Sequence, residues 1–341
     1  MPTSSSTDAL VLFCQASHNI MDALFLRPLL RTYGRLRRSM RPDVLCVQES
    51  VPHATECMAT ALLGRRRFAI AADPAAPRLA MVYDRTRLRL QRLSLWPLPL
   101  LDAVPLWQRV YISGIDAKQA LVGQFVCRHH RWRRITIANF HLDAAGDNQH
   151  RGAQLRTVAA AIGDDRPVVA CGDTNAFTWV RSEAEPALRR MLAPLAGMDA
   201  HAHTPKDTHF FARAREPKLG HRIAVAFGRL GVDFPRRYDV IVSSLPAERA
   251  GQVSTPESDH DLVWALVGVR GARRTDATTG GRDEHASTAT TMRRRRRRPR
   301  ASGGACRGGR GGSWAARRAN RCEGVRLSDG SEWSRNDDAQ K

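Results

Sequence analysis

The sequence lacks the signatures of several common classes of protein. Its seven cysteines are scattered and include no C-x-x-C pair, which argues against a disulfide framework or a zinc site and favours a reducing compartment. No G-x-G-x-x-G or G-x-x-x-x-G-K-S/T motif indicates nucleotide binding. Three prolines and an aspartate interrupt the most apolar stretch, at 93–107, and the first dozen residues do not resemble a secretory signal. We therefore expect a cytoplasmic monomer without a transmembrane segment.

Acidic residues are too few to balance the basic ones, since 33 Asp and Glu accompany 54 Lys and Arg and leave a net charge of +21. The excess is uneven, because residues 271–341 alone hold 18 Lys and Arg and 8 Asp and Glu. That segment has six consecutive arginines at 293–298 and no apolar periodicity, so we expect a disordered Arg/Gly-rich tail. Such a tail binds polyanions, including nucleic acid; the alternative is an extension without a role. We expect a flexible N-terminus at 1–7 and one domain at 8–270.

Residues 8–270 carry interleaved signals for strands and helices. Apolar runs or alternation predict strands at 10–14, 44–47, 68–72, 79–83, 88–95, 119–128, 134–142, 168–171, 238–242 and 262–269. A short basic turn joins the strands at 119–128 and 134–142, which predicts a hairpin. Helical spacing predicts helices at 24–40, 148–162 and 183–195. Many strands with a few interleaved helices indicate an α/β (α+β) fold of two packed sheets flanked by helices.

Polar side chains interrupt the buried pattern where six of these strands begin or end. They are Asn19, Gln48, Glu49, Asn139, His141, Asp173, Asn175, Asp239, Asp259 and His260. A sheet gathers strand ends along one rim, so we expect these residues to form a single site. The oxygen ligands Asn19, Glu49 and Asp259 suit Mg²⁺ or Mn²⁺. The histidines and the other aspartates suit proton transfer and charge stabilisation during attack of water on a phosphate ester.

Six motifs together carry a resemblance to a known family. In chain order they are Ser17-His18-Asn19-Ile20, Pro42-Asp43-Val44-Leu45-Cys46-Val47-Gln48-Glu49, Asn139-Phe140-His141-Leu142, Gly172-Asp173-Thr174-Asn175, Arg237-Tyr238-Asp239-Val240-Ile241 and Ser258-Asp259-His260. Each motif is weak alone, but all six occur in order across nearly all of 8–270. The chain resembles the endonuclease/exonuclease/phosphatase superfamily, which includes DNase I, apurinic-site endonucleases, neutral sphingomyelinases, inositol-polyphosphate 5-phosphatases and deadenylases. The resemblance implies a DNase I-like, four-layer α/β sandwich with two mixed sheets inside.

The resemblance also implies a metal centre. Glu49 would be the main ligand of a divalent cation, Mg²⁺ or Mn²⁺. Asn19 and Asp259 would lie close to the metal or to its water ligands.

Five further residues receive catalytic roles from the same resemblance. Asp173 would orient or deprotonate the attacking water, and Asn175 would hold that water or a phosphate oxygen. His260 would face the scissile phosphate as acid, base or charge stabiliser, with Asp239 hydrogen-bonded to its far nitrogen. His141 would donate to a non-bridging phosphate oxygen. Whether Asp173 or His260 takes the proton is left open by the sequence.

Other polar residues of the region receive structural interpretations. Arg151 and Gln154 lie on one face of the helix after His141, where we expect them to brace the loops of the site. His209, together with His201 and His203, is assigned to an unstructured loop rather than to a metal site.

Two positions depart from the family pattern. Thr174 stands where many members have Phe or Leu, but the position points inward and should tolerate a small polar residue. Asp261 follows His260 where many members have an apolar residue or proline, and an additional carboxylate there could disturb the local charge and alter the number of metals bound.

The favoured function is a divalent-metal-dependent phosphoesterase that hydrolyses phosphate ester bonds, most specifically as a phosphodiesterase or nuclease. A phosphoinositide- or sphingomyelin-type phosphoesterase is the alternative within the same chemistry. A different class, a nucleic-acid-binding protein whose catalytic domain is idle, is suggested by the basic tail and the basic hairpin at 128–134. The expected partner is a phosphate-ester substrate, possibly nucleic acid.

Overall fold

The computed structural model describes residues 9–16, 23–110, 117–128, 134–164, 167–196, 207–213, 219–231, 238–255 and 258–268. The strands in these ranges are β1 (Ala9–Ala16), β2 (Val44–Gln48), β3 (Phe68–Ala72), β4 (Leu79–Asp84), β5 (Leu88–Pro97), β6 (Gln119–Cys127), β7 (Arg134–His141), β8 (Val168–Asp173), β9 (Asp239–Ser243), β10 (Ala247–Val253) and β11 (Leu262–Gly268). The helices are α1 (Ala23–Ser39), α2 (Pro52–Leu63), α3 (Asn148–Ile162), α4 (Arg181–Ala196) and α5 (Leu219–Arg229), with 3-10 turns at Leu106–Val110 and Phe211–Arg213.

The strands form two mixed sheets. Sheet 1 has the order β10-β11-β1-β2-β4-β3, and sheet 2 has the order β5-β6-β7-β8-β9. In sheet 1, β1 and β2 are parallel; in sheet 2, β7 and β8 are parallel, and the other neighbours pair antiparallel. The carboxyl ends of β2, β7 and β8 carry three of the six motifs singled out in the sequence.

Three apolar layers hold the sheets and helices together. Alternate residues of β2 show the arrangement, because Val44 and Cys46 lie in the core between the sheets. Leu45 and Val47 face the other way and pack with α1 and α2. A third core joins α3 and α4 to the outer face of sheet 2. A strand that is buried on both faces reads as a continuous apolar run, as β2 does. The arrangement is a DNase I-like, four-layer sandwich, which confirms the predicted fold.

Most of the predicted elements are present, including the hairpin, which β6 and β7 form by antiparallel pairing. Sequence patterns did not identify α2, α5 or β10. β10 is an edge strand whose sequence, AERAGQV, has no clear apolar alternation. α2 begins with Pro52 at a position where a helix needs no backbone N–H, so the proline starts the helix rather than interrupting it.

Within the residues that the structure describes, no helix is long and apolar enough to cross a membrane. The predicted flexible residues 1–7 and the tail at 271–341 lie outside those residues.

Candidate active site

Neighbouring strands of sheet 2 bring three predicted catalytic residues into one row. In the register of this sheet, His141 at the end of β7 lies opposite Asp173 at the end of β8. Asp173 in turn lies opposite Asp239 at the start of β9. All three side chains are buried. Because β7 and β8 are parallel and β9 is antiparallel to β8, the three residues share one edge of the sheet.

Sheet 1 contributes Glu49, Asp259 and His260 to the site. Glu49 follows β2, whereas Asp259 and His260 precede β11, and all three are more than nine-tenths buried. The backbone of Glu49 has a φ of 54°, and that of Asn175 has a φ of 46°. This left-handed region is unfavourable for residues with a β-carbon, and such strained positions cluster at functional sites. The predicted ligand Asn19 lies outside the described residues.

His260 and Asp239 form a buried hydrogen-bonded pair that joins the two sheets. The Nδ1 atom of His260 donates to Oδ2 of Asp239 at 2.8 Å. The Nε2 atom of His260 lies 3.9 Å from Oδ2 of Asp173, and Nε2 of His141 lies 3.7 Å from the same oxygen. Two imidazoles therefore converge on one carboxylate oxygen at distances longer than a hydrogen bond.

The charges around this pair shift two pKa values towards neutral and alkaline pH. Burial lowers the pKa of His260, but the charge of Asp239 and the hydrogen bond to it outweigh burial and raise the pKa to about 10. Burial raises the pKa of Asp173 to about 7, against the charge of His260 and with support from the charges of Asp239 and Glu49. His260 is therefore cationic near neutral pH, whereas Asp173 can gain or lose a proton there.

The loop after β8 fixes the carboxylate of Asp173. The backbone N–H of Asn175 donates to Oδ1 of Asp173 at 2.8 Å. The side-chain amide of Asn175 donates to the carbonyl of Leu142 at 3.0 Å, which ties the loop to the end of β7. Asn175 thus holds the site together through its backbone and through its side chain.

The other two residues of the Gly172-Asp173-Thr174-Asn175 motif have packing roles. Thr174 is fully buried, and its hydroxyl donates to the carbonyl of Tyr238 at 2.7 Å, so the polar side chain is accommodated as expected. A β-carbon on Gly172 would lie 2.2 Å from the carbonyl oxygen of Phe140. Only glycine therefore fits at this position without movement of β7.

Arg151 and Gln154 brace the loop that follows β7, which confirms the structural interpretation of both residues. Arg151 donates through Nε to the carbonyl of Asp143 and through Nη2 to that of Ala144, at 2.9 and 2.7 Å. Gln154 donates to the carboxylate of Asp143 at 2.7 Å and accepts from its backbone N–H at 3.0 Å. His150 also contacts this carboxylate, at 2.8 Å. Sequence reasoning missed Asp143, although it follows His141 by only two residues.

Asp261 does not disturb the charge of the site, and that expectation is wrong. Its carboxylate accepts from Nη1 of Arg213 at 2.6 Å, from Nε2 of Gln252 at 3.0 Å and from the backbone N–H of Thr255 at 3.2 Å. The ion pair with Arg213 neutralises this carboxylate.

His209 is not part of an unstructured loop, which corrects the second structural interpretation. It is 6% exposed and forms an isolated β-bridge with His260. Its ring stacks on Tyr238 at a centroid distance of 5.0 Å and an interplanar angle of 24°. The Thr-His-Phe sequence between α4 and α5 has no periodic signal, so nothing in the sequence indicated that this residue pairs with His260. His201 and His203 lie outside the described residues.

The donor set fits a hard divalent cation. Asp259 is 2% exposed, and its Oδ1 accepts no hydrogen bond from the described part of the chain. A buried carboxylate oxygen in this state is stabilised by a cation. The charge of Glu49 is close enough to raise the pKa of Asp173. Among the described residues, two groups of three side chains have possible ligand atoms within 4.8 Å of one another. They are His209, Asp259 and His260, and Asp173, Asp239 and His260. Glu49 belongs to neither group.

Solved structures share this fold. A protein of the endonuclease/exonuclease/phosphatase family from Bacteroides thetaiotaomicron is 14% identical, with 76% of this chain and 98% of that chain covered and a TM-score of 0.53. TDP2 of D. rerio, complexed with a single-stranded DNA product, is 14% identical over 76% and 99% of the two chains, with a TM-score of 0.51. A mannosyl-6-phosphatase of Bacteroides thetaiotaomicron is 16% identical over 76% and 99%, with a TM-score of 0.50.

The chain thus has the fold of the endonuclease/exonuclease/phosphatase superfamily, which confirms the predicted resemblance at the level of the fold. No protein-family profile matches the sequence. No curated protein matches it either.

Proposed function

We propose that this chain hydrolyses phosphate esters with the help of a divalent cation, and that it acts as a phosphodiesterase or nuclease. The observation that carries the proposal is the convergence of His141 and His260 on Oδ2 of Asp173, at 3.7 and 3.9 Å, with Asp239 holding the far side of His260. Two cationic or neutral imidazoles beside one poised carboxylate can activate water and stabilise the charge that develops on a phosphate.

The pKa shifts favour one division of labour. With its pKa raised to about 7, Asp173 is the group able to accept a proton from the attacking water near neutral pH. With its pKa raised to about 10, His260 carries a positive charge and donates from Nε2 to a phosphate oxygen. His141 donates to a second oxygen from the opposite side of Asp173. The hydrogen bond to Asp239 fixes the orientation of His260 throughout.

Glu49 and Asp259, with Asn19, would hold the cation. When bound, a Mg²⁺ or Mn²⁺ ion supplies charge neutralisation at the phosphate and at the leaving oxygen. The buried Oδ1 of Asp259 is the feature that supports this assignment most directly.

Nucleic acid is the substrate class that we favour. The net charge of +21 attracts polyanions, and the neighbour TDP2 is complexed with single-stranded DNA. Phosphoinositide or sphingomyelin esters are the alternative, and the mannosyl-6-phosphatase neighbour adds phosphorylated sugars to the substrates worth testing.

Hydrolysis of bis-p-nitrophenyl phosphate by the 341-residue chain tests the proposed chemistry. We expect turnover with Mg²⁺ or Mn²⁺ and none with EDTA. Glu49→Ala and His260→Ala should each lower the rate by about 10²-fold or more. Glu56→Ala and His53→Ala are matched controls, because both side chains are exposed on α2. Activity that survives both Glu49→Ala and His260→Ala would contradict the proposal.

A substrate panel addresses specificity. It should contain single- and double-stranded DNA, RNA, phosphoinositides, sphingomyelin, nucleotide esters and mannose 6-phosphate, each with Mg²⁺ and with EDTA. Turnover of lipid or sugar esters without turnover of nucleic acid would overturn the substrate assignment while leaving the chemistry intact.

Replacement of the six arginines at 293–298 by serine separates catalysis from binding by the tail. We expect hydrolysis of the generic substrate to continue and salt-sensitive binding of nucleic acid to weaken. Binding without any turnover in the unaltered protein would instead support the nucleic-acid-binding alternative with an idle catalytic domain.

A further inference from the structure

The segment that contains His209 runs alongside the residues that precede β11. The backbone N–H of Phe210 donates to the carbonyl of Asp259, and that of Asp261 donates to the carbonyl of Thr208, both at 2.7 Å. His209 consequently lies directly opposite His260 in an antiparallel bridge. Side chains in such pairs project from the same face, and the two imidazole centroids lie 4.7 Å apart.

Asp259 completes a compact group of donors with these two histidines. One ligand atom from each of His209, Asp259 and His260 lies within 4.8 Å of the other two. All three residues are more than nine-tenths buried. The Oδ1 atom of Asp259 accepts no hydrogen bond from the part of the chain that the structure describes, although burial makes an unsatisfied carboxylate unfavourable.

We propose that His209, Asp259 and His260 bind a borderline divalent metal ion such as Zn²⁺ or Co²⁺. Two imidazole nitrogens and one carboxylate suit these ions, whereas Mg²⁺ prefers ligand sets made only of oxygen. His260 coordinates the ion through Nε2, because Nδ1 is hydrogen-bonded to Asp239. A carboxylate on the far nitrogen orients a metal-bound histidine and makes it a stronger ligand.

Occupancy of this second metal site inhibits the enzyme. This consequence rests on the proposed function, in which His260 Nε2 contacts the phosphate and Asp259 helps to hold Mg²⁺. A Zn²⁺ ion bound to His260 and Asp259 prevents His260 from contacting the phosphate and Asp259 from binding Mg²⁺. Metal binding itself does not depend on catalysis, so the two parts of the inference have separate tests.

Binding is measured by titrating the metal-free 341-residue chain with Co²⁺ and recording its visible absorption. Nitrogen-ligated Co²⁺ of low coordination number absorbs far more strongly than the ion in an octahedral oxygen site. We expect strong bands from the wild-type protein. The affinity for Co²⁺ should be at least about tenfold weaker in His209→Phe, since loss of even a residue that only orients a metal ligand weakens metal binding by about tenfold or more. Phenylalanine retains a ring that can stack on Tyr238. Absence of the bands, or an unchanged affinity for Co²⁺ in His209→Phe, would overturn the metal site.

The matched control is the double variant His53→Ala, Cys57→Ser. Nε2 of His53 and Sγ of Cys57 lie 3.8 Å apart on α2, and an imidazole beside a thiol is also a ligand pair for Co²⁺. We expect the strong bands to persist in this control, and their loss would overturn the assignment. X-ray absorption at the zinc edge should be recorded on the wild-type protein with one equivalent of Zn²⁺, and the fit to the spectrum should require two imidazole ligands. Fewer than two imidazoles would contradict the site. This test does not depend on the folding of any variant.

Inhibition is measured as the concentration of Zn²⁺ that halves hydrolysis at saturating Mg²⁺, relative to the uninhibited rate of each variant. We expect this concentration to rise by at least about tenfold in His209→Phe. Glu49→Gln separates the two proposals, because it should lose Mg²⁺-dependent hydrolysis and keep the strong Co²⁺ bands. Co²⁺ bands without any hydrolysis in the wild-type protein would support the second metal site and contradict the proposed function.

Discussion

Gln48 and Asn139 join the two sheets beneath the candidate active site. The side-chain amide of Gln48, at the end of β2, donates to Oδ1 of Asn139 in β7. The amide of Asn139 then donates to the carbonyls of Val47 and Ala80 in sheet 1, both at 3.0 Å. Both side chains are fully buried. These bonds link the two sheets next to Glu49, which follows Gln48, and near His141 at the end of β7.

Replacement of Asn139 by alanine should destabilise the fold. Two buried carbonyls and the amide of Gln48 would lose their partner, so we expect a loss of about 2–4 kcal/mol in the free energy of unfolding. Urea or thermal denaturation measures this change. Gln91→Ala is the matched control, because Gln91 carries an exposed amide on β5 and should change stability by less than about 0.5 kcal/mol. Equal stability of the Asn139→Ala variant and the wild-type protein would show that the bridge has no energetic role.

Asp239→Asn should slow hydrolysis by about 10²–10⁴-fold, because His260 loses the carboxylate that orients it and stabilises its charge. Burial lowers the pKa of His260. Without the charge of Asp239, only weaker contributions such as those of Asp173 and Asp259 oppose burial, so the pKa falls below its wild-type value. The alkaline limb of the pH–rate profile should therefore move to lower pH as well. A lower rate with an unchanged alkaline limb would indicate that His260 is not the group that titrates there.

The stability of the metal-free protein should fall as pH rises from about 4 to about 10. The pKa of Asp173 rises from 3.8 to about 7 on folding, and that of His260 from 6.5 to about 10. The folded state therefore binds more protons than the unfolded state across this interval, and the contribution of each group is lost as pH rises through its folded pKa. Denaturation in EDTA at several pH values measures the slope. Asp173→Asn should flatten the slope between pH 4 and 7. The slope between pH 7 and 10 should become smaller but persist, because Asp239 contributes more than Asp173 to the raised pKa of His260.

Asp261→Asn should lower stability without loss of the metal-dependent activity. The substitution breaks the ion pair with Arg213, which is 2.6 Å away and three-quarters buried, so we expect a loss of about 1–3 kcal/mol. Thermal denaturation and the generic hydrolysis assay give the two readouts. A large drop in the rate of the folded variant would place Asp261 in the catalytic machinery instead.

Much of the fold follows from the sequence because its central strands are buried on both faces. Runs such as Val44–Gln48 and Val168–Asp173 are apolar until the polar residues that end them, so both the strands and the rim were predictable. The edge strand β10 was not, because one-sided exposure removes the continuous apolar signal.

The sequence predicted the strand end at which each site residue lies, but it did not predict which of these side chains contact one another. The pairing of His260 with Asp239 was expected from family resemblance alone. The bridge between His209 and His260 depends on the register of a short segment between α4 and α5, and no local pattern encodes such a register. The isolation of Asp261 from the site had the same cause, since the chain direction after His260 decides which side its carboxylate faces.

The left-handed backbone conformation of Glu49 lowers the stability of the fold but places a carboxylate at the candidate site. A residue with a β-carbon in this conformation carries strain of about 1–2 kcal/mol that glycine would not. A chain optimised only for stability would place glycine at this position and leave the rim without its carboxylate. The chain therefore has a glutamate where the backbone conformation favours glycine. A strained residue of this kind is what a role in metal binding would retain, at a cost in stability.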